Sequence, residues 1–231
     1  MKFGKRLRDL LPSEYYEKSL NYKYLKKICK RFDQESEEEN GHLLDHLSDY
    51  LAKQQQQIES FYFAREEQCH EICRRVQKQL LALAVENSGT GGQDEEKLHS
   101  EPPQSGEGQN SLVVISLMLE RAHQRIDRLD QFVKLNRIAF RKITKKFNKS
   151  TGDFKAMLIF QKVLEKMPFM NGLRVERLKE TADGYGLQAQ QFGPFPDAAI
   201  AGSFLTNSLG LGVADSHVLK GQAIGRTRGG C

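Results

Sequence analysis

Long hydrophobic runs are missing from this chain of 231 residues. The most continuous apolar stretch, Leu112–Leu119, is less than half the length that crosses a bilayer. The first residues, "MKFGKRLRDL", stay charged and contain no apolar signal-peptide core. We therefore predict a soluble intracellular protein without a membrane span.

Cysteine is scarce, with four residues spread along the chain: Cys29, Cys69, Cys73 and Cys231. This scatter does not form a disulfide framework and favours a reducing compartment. Cys69 and Cys73 lie one helical turn apart, but such a pair offers at most two metal ligands and no second pair follows. Cys69 also falls on an apolar stripe, so we predict a packing role and no metal site.

Groups of catalytic residues are also missing. The six histidines are scattered singly, and no Ser/His/Asp set or pair of carboxylates stands out. We predict that the protein is not an enzyme and that it needs no cofactor.

Strand-like alternation does not occur over any length, so the predicted fold class is all-α. Two long amphipathic helices account for most of the apolar periodicity, and we expect them to pair antiparallel with further helices completing the core. The first is expected to break near 54–57. The first stripe comprises Leu44, Leu47, Leu51, Ile58, Phe61, Cys69, Ile72, Val76, Leu80 and Leu83; the second comprises Ile115, Leu119, Ala122, Ile126, Leu129, Val133, Phe140, Ile143 and Phe147.

Shorter elements flank these helices. Two short helices are predicted before them, divided at 11–13, with Ser13 as the N-cap of the second. Two more are predicted after them, divided near Pro168 and Gly172. Residues 87–110, rich in Gly, Ser, Pro and acid, predict a mobile loop between the long helices, and residues 186–231 predict a loosely ordered, low-complexity tail.

Charge is segregated although the net charge is only +5. Residues 1–30 contain nine Lys or Arg against three acids, and residues 134–149 contain seven against none. On a helix, Lys142, Lys145, Lys146 and Lys149 share one face, and Lys23, Lys26, Lys27 and Lys30 share another. Like charges at this spacing repel unless an anion lies between them, so a polyanion site is predicted if the fold brings the two segments together.

Four motifs in order resemble the SPX domain family: "MKFGKRL" at the start, "LNYKYLKK" at 20–27, "FY" at 61–62 and "LNRIAFRKITKKFNKSTG" at 135–152. The resemblance covers about residues 1–185, with the loop as an insertion. It implies an N-terminal helical hairpin packed on two long helices. It also implies a lysine-rich surface that binds inositol polyphosphates or pyrophosphates.

Carried over by position, the resemblance implies seven ligand-binding residues: Lys2, Tyr22, Lys26, Lys142, Lys145, Lys146 and Lys149. Tyr22, Lys26 and Lys145 are expected closest to one phosphate group. The implied function is a phosphate-status sensor in phosphate homeostasis and starvation signalling. It would regulate a protein partner such as a transcription factor, in the nucleus, the cytoplasm or both.

Three alternatives stay open from the sequence. The chain is a stand-alone adaptor in the leading interpretation, but a regulatory module of a larger transporter or enzyme has the same sequence features. A lysine face also suits a nucleic-acid backbone, although no nucleic-acid motif is recognised and no direct contact is expected. In a purely structural helical scaffold, the lysines would be only a solvated face.

Overall fold

The computed structural model describes residues 3–32, 34, 37–88, 106–151 and 154–194. This part of the chain is all-α, as predicted, and contains seven α-helices and one short 3₁₀ helix. None of these helices combines the length and the hydrophobicity of a membrane-spanning segment. The helices are α1 (Phe3–Leu10), α2 (Ser13–Lys18), α3 (Tyr22–Phe32), α4 (Glu37–Ser88), α5 (Gly106–Thr151), α6 (Phe154–Glu165), the 3₁₀ helix (Pro168–Asn171) and α7 (Leu173–Gln190).

The two long helices, α4 and α5, form the centre of the bundle and pair antiparallel. Near one end of the pair Val76 and Leu80 of α4 pack with Ile115 of α5. The apolar side chains of both helices recur every three or four residues, which places them on one stripe facing the partner helix. Phe61 and Ile72 are only half-buried, because the next residues, Tyr62 and Cys73, carry the buried face of α4.

Helix α4 is continuous through 54–57, so the predicted break is wrong. Gln54 is 8% exposed and accepts a hydrogen bond from the Asn21 backbone N–H, at 2.8 Å. Gln57 donates from Nε2 to the Glu17 carbonyl oxygen at 2.9 Å. Glutamine is a good helix former, and these two side chains attach the N-terminal segment to α4 without interrupting it.

The N-terminal region has one helix more than predicted. Ser13 begins the short helix α2 and does not cap α3. The backbone N–H of Tyr24 instead donates to Asn21 Oδ1 at 3.0 Å, so Asn21 caps α3. The turn before α3 is held to α5, because the Leu20 N–H donates to the buried Asn136 Oδ1 at 2.8 Å.

The C-terminal helices pack beside the long pair, and their division near Pro168 and Gly172 is confirmed. Helix α7 continues through Gly184 to Gln190, so the predicted loose tail begins as helix. Ala189 is buried against the far end of the long pair, which extends the apolar stripe of α7 beyond Ala182. Residues 195–231 lie outside the described residues.

The predicted loop at 87–110 has helical ends, because α4 ends at Ser88 and α5 begins at Gly106. Residues 89–105 between them lie outside the described residues.

Candidate anion-binding surface

Helix α3 presents its lysines to solvent because its apolar residues face the core. The buried positions are Leu25, Ile28, Cys29 and Phe32, at steps of three, one and three. The four lysines predicted to share the opposite face are all exposed: Lys23, Lys26, Lys27 and Lys30. The amphipathic pattern of this segment is therefore confirmed.

The last turns of α5 have the same design. Phe140, Ile143 and Phe147 are fully buried. Between them, the side chains of Lys142, Lys145 and Lys149 are exposed and that of Lys146 is half-buried. We call these four lysines and the four of α3 the lysine surface.

The fold places α3 beside this end of α5. The rings of Phe32 and Phe147 lie 5.7 Å apart, and the Cys29 thiol donates to Ser150 Oγ at 3.3 Å. Since Leu20 contacts Asn136 at the other end, α3 runs parallel to the final turns of α5. Two basic segments more than a hundred residues apart in sequence thus become neighbours.

Helix α1 packs where α3 meets the end of α5, and we call this meeting point the corner. Phe3 makes the contacts of α1 there. The Phe3 ring packs edge-on against the Tyr22 ring, with centroids 5.0 Å apart. Lys142 Nζ lies 4.7 Å from the centre of the same Phe3 ring, which is cation–π distance. Phe3 therefore connects Tyr22 of α3 to Lys142 of α5.

A cavity of about 440 Å³ opens between α1 and α3. Tyr22 and Lys26, both predicted as ligand contacts, line it. Lys23, a member of the predicted lysine face, also lines it. Sequence reasoning missed the other polar and aromatic residues of its wall: Phe3, Lys5, Arg8 and Tyr16. The wall of the cavity therefore includes three aromatic residues and four cationic ones, which suits a multiply charged anion.

Acids among the described residues do not pair with the lysine surface. In the described part of the chain, none of its eight lysines has an Asp or Glu oxygen within 4.0 Å. Lysines elsewhere do find acids: Lys134 pairs with Asp130 at 2.7 Å and Lys179 with Asp127 at 2.8 Å. Within the described ranges, no acid therefore balances the positive charge of the lysine surface by a direct ion pair.

Tyr22 is suited to donate a hydrogen bond there. Burial raises the pKa of its hydroxyl above the usual 10.0, and the Cys29 thiol raises that pKa further. A tyrosine hydroxyl is protonated at neutral pH, and the raised pKa keeps it a donor to a phosphate oxygen also at higher pH.

No protein-family model matches this chain, and no curated protein matches its sequence. The resemblance to the SPX domain therefore stands on the four motifs quoted above.

The structure brings some of the seven predicted ligand residues together and leaves others apart. Tyr22 and Lys26 share the cavity, and Lys142 reaches it through Phe3. Lys145, Lys146 and Lys149 continue the charge along α5 but do not line the cavity, so the grouping of Lys145 with Tyr22 and Lys26 stays a prediction. Lys2 lies outside the described residues.

Of the residues that sequence reasoning missed, Phe3 is the one whose packing role could have been predicted from the sequence. It is the only aromatic residue in the charged stretch 1–14, and an isolated aromatic residue there favours a packing role. Its contact with Lys142 had no such signal, because 138 positions separate the two residues in the sequence numbering.

Proposed function

We propose that this protein is a phosphate-status sensor that binds inositol polyphosphates or pyrophosphates on the lysine surface and regulates a protein partner. The observation that carries the proposal is the juxtaposition of Tyr22, Phe3 and Lys142, which joins the two basic segments at one corner. An SPX-type arrangement, with the N-terminal helices forming a hairpin on the long pair, belongs to the same proposal. So do an adaptor role without catalysis and a location in the nucleus or the cytoplasm.

A compact, phosphate-dense ligand fits the charge at this corner. Eight lysines on two adjacent helices repel one another, and a small polyanion relieves this repulsion at several positions at once. Lysine is a point charge on a flexible stem, so one phosphate can be approached from several directions. The Tyr22 hydroxyl adds a directional hydrogen bond that orients the ligand.

Ligand binding in this proposal changes the N-terminal region. The anion contacts α3 and α5 together and so favours the state in which the N-terminal helices are held against the long pair. A ligand shifts such an equilibrium only by its difference in affinity for the two states. The partner then recognises the surface of the ligand-bound state.

The test is calorimetric titration of the full chain with inositol hexakisphosphate and a pyrophosphorylated analogue at near-physiological salt. Tyr22→Phe removes only a hydroxyl, and Lys26→Ala and Lys145→Ala each remove one charge. We expect each variant to weaken binding by about tenfold, the effect of losing one charged hydrogen bond. Lys78→Ala, an exposed site near the other end of α4, is the matched control and should bind as the wild type does.

Two results would reject the proposal. One is the absence of binding to the correctly folded protein, which leaves the lysines as a solvated face. The other is binding that requires a nucleic-acid polymer, increases with its length and weakens smoothly with salt.

A further inference from the structure

A second basic region lies in the groove between α4 and α5, on the side of this helix pair that faces away from α7. It is built from arginine, whereas the lysine surface contains only lysine. We call it the arginine groove and define it by six residues of α4 and α5: Arg65, Arg74, Arg75, Arg121, Arg125 and Arg128. Its wider part is a cavity of about 490 Å³.

The arginines of α5 form a row. Arg121, Arg125 and Arg128 are spaced by four and three residues, so they share one helical face. At a rise of about 1.5 Å per residue the row is about 10 Å long. The same rise places Arg128 about 20 Å from Lys142 along the helix, so the arginine groove is separate from the lysine surface.

Acids close in sequence to this row are engaged on the opposite side of α5. Asp127 and Asp130 both contact Lys179 of α7, at 2.8 and 3.5 Å. Asp183 of α7 contacts His123 at 2.9 Å. The acidic face of α5 thus packs against α7, and the arginine row lies on the face of α5 that points away from α7.

Acids within the groove are also already paired. Glu67 contacts Arg74 at 2.6 Å, and Glu71 contacts Arg74 at 3.0 Å and Arg75 at 2.9 Å. The positive charge of the α5 row is therefore in excess. In the described residues no acid lies within 4.0 Å of Arg121 or Arg128.

Two guanidinium groups converge on a single neutral oxygen in the middle of the groove. Gln68 Oε1 accepts from Arg65 at 2.9 Å and from Arg125 at 3.1 Å. Arg65 is also fixed by Glu14 at 2.7 Å and lies 5.0 Å from the centre of the Phe61 ring. These contacts orient the guanidinium groups before any ligand binds, which lowers the entropy cost of binding.

We propose that the arginine groove binds an acidic helical segment of a protein partner. The planar guanidinium pairs bidentately with a carboxylate, and a helix with Asp or Glu at steps of three and four presents carboxylates at the spacing of the arginine row. Because Glu67 and Glu71 already pair with Arg74 and Arg75 of α4, the carboxylates of the partner face the arginines of α5. An elongated row of about 10 Å fits one face of a helix better than it fits a compact anion.

The probe is a fluorescein-labelled helical peptide of about 16 residues with glutamates on one face at steps of four and three. A permuted peptide of the same composition spreads the glutamates around the helix. Fluorescence anisotropy with the full chain in about 0.1 M salt measures both dissociation constants. We expect the one-face peptide to bind about tenfold more tightly than the permuted one.

The decisive variant is Arg121→Gln with Arg128→Gln, since neither side chain has an acidic partner to lose. It should weaken binding of the one-face peptide by about tenfold. The matched control is Arg137→Gln with Arg141→Gln, two exposed arginines of the same helix, and it should change binding by less than about twofold. Both variants should melt within a few degrees of the wild type in circular dichroism.

Three outcomes overturn the proposal. Equal weakening by the two double variants would mean that only overall charge matters. Equal binding of the two peptides would mean that carboxylate spacing is not recognised. Displacement of the peptide by inositol hexakisphosphate at about 0.1 mM would mean that the peptide occupies a site that binds anions in general.

Discussion

Asn136 is the residue that sets the position of the candidate site, although it lies in the core and not on the lysine surface. Its side chain is fully buried in α5, accepts from the Leu20 N–H and donates to the Phe132 carbonyl oxygen, both at 2.8 Å. The first contact fixes the turn before α3 and therefore where Tyr22 begins its helix.

Replacing Asn136 by Ala should lower the free energy of unfolding by about 1–3 kcal/mol, because the Leu20 N–H loses its buried acceptor. Urea unfolding of the full chain measures the change. Asn148→Ala removes an exposed asparagine of the same helix and should change stability by less than about 0.5 kcal/mol. Equal stability of the two variants would show that the Leu20 contact contributes nothing.

Cys69 gives a prediction about pH. Burial, and next the neighbouring Cys73, raise the pKa of its thiol from 9.0 to about 11. A raised pKa means that the folded state holds the proton more tightly than the unfolded state. The resulting stability is fully present below pH 9 and is lost as the pH rises towards 11.

The difference in unfolding free energy between wild type and Cys69→Ala should therefore shrink between pH 9 and pH 11. Chemical unfolding at a series of pH values under reducing conditions measures it. Tyr22, Tyr50 and Tyr62 also have raised pKa values, but they are present in both proteins and cancel in the difference. Cys69 also contributes to the raised pKa of Tyr15, less than burial does, so the difference includes that smaller effect. A constant difference across this range would contradict the pKa assignment.

At the scale of elements, α4 and α7 are joined by a buried carboxylate. Glu66 is 4% exposed and receives two hydrogen bonds of 2.7 Å from Arg174, and the Tyr62 hydroxyl donates to it at 3.0 Å. The Tyr62 ring stacks on Phe169 with centroids 4.1 Å apart. Burial, and next the Glu66 charge, raise the pKa of Tyr62, so its hydroxyl remains a donor.

Arg174→Met should destabilise the protein by about 2 kcal/mol, because Glu66 loses its charge partner while staying buried. The half-exposed position of Arg174 keeps the cost below that of a fully buried pair. Thermal unfolding measures the loss. Arg177→Met on the same helix should cost little, and Glu66→Gln added to Arg174→Met should recover part of the loss. A double variant less stable than Arg174→Met would contradict this account.

The long helices could be predicted from sequence because the apolar stripe repeats over about eleven turns in the first and about nine turns in the second. Helix α2 could not, because only Tyr15 of its six residues is buried and no periodic pattern arises. The end of α7 was hidden by Gly184 and Gly186, which usually interrupt helices. Packing of Ala189 against the long pair overrides this local preference.

The candidate site could also be predicted only in part, because sequence patterns show local spacing and not tertiary contacts. Lysine faces on α3 and α5 follow from local spacing, but the contact between Phe3 and Lys142 depends on tertiary packing. The arginine row at 121–128 was hidden because Asp127 and Asp130 balance its charge in the sequence. Only the fold separates these charges, by turning the acids towards Lys179.

At the scale of the whole molecule, the lysine surface and the arginine groove lie at different positions along the pair of long helices. The lysine surface lies where α1, α3 and the end of α5 meet, and the arginine groove lies between the middle parts of α4 and α5. The proposed function assigns the corner to a small polyphosphate, and the second proposal assigns the arginine groove to a helical segment of a protein. The central claim is that the two distant basic segments form one ligand site.

The most direct measurement of that claim is the stoichiometry of inositol hexakisphosphate binding by titration calorimetry. It is determined for wild type, for Lys26→Ala on α3 and for Lys145→Ala on α5. One site built by both helices predicts one ligand per chain and a weakened single isotherm in both variants. No binding to the folded chain, or two ligands per chain with each variant removing one of them, would contradict it.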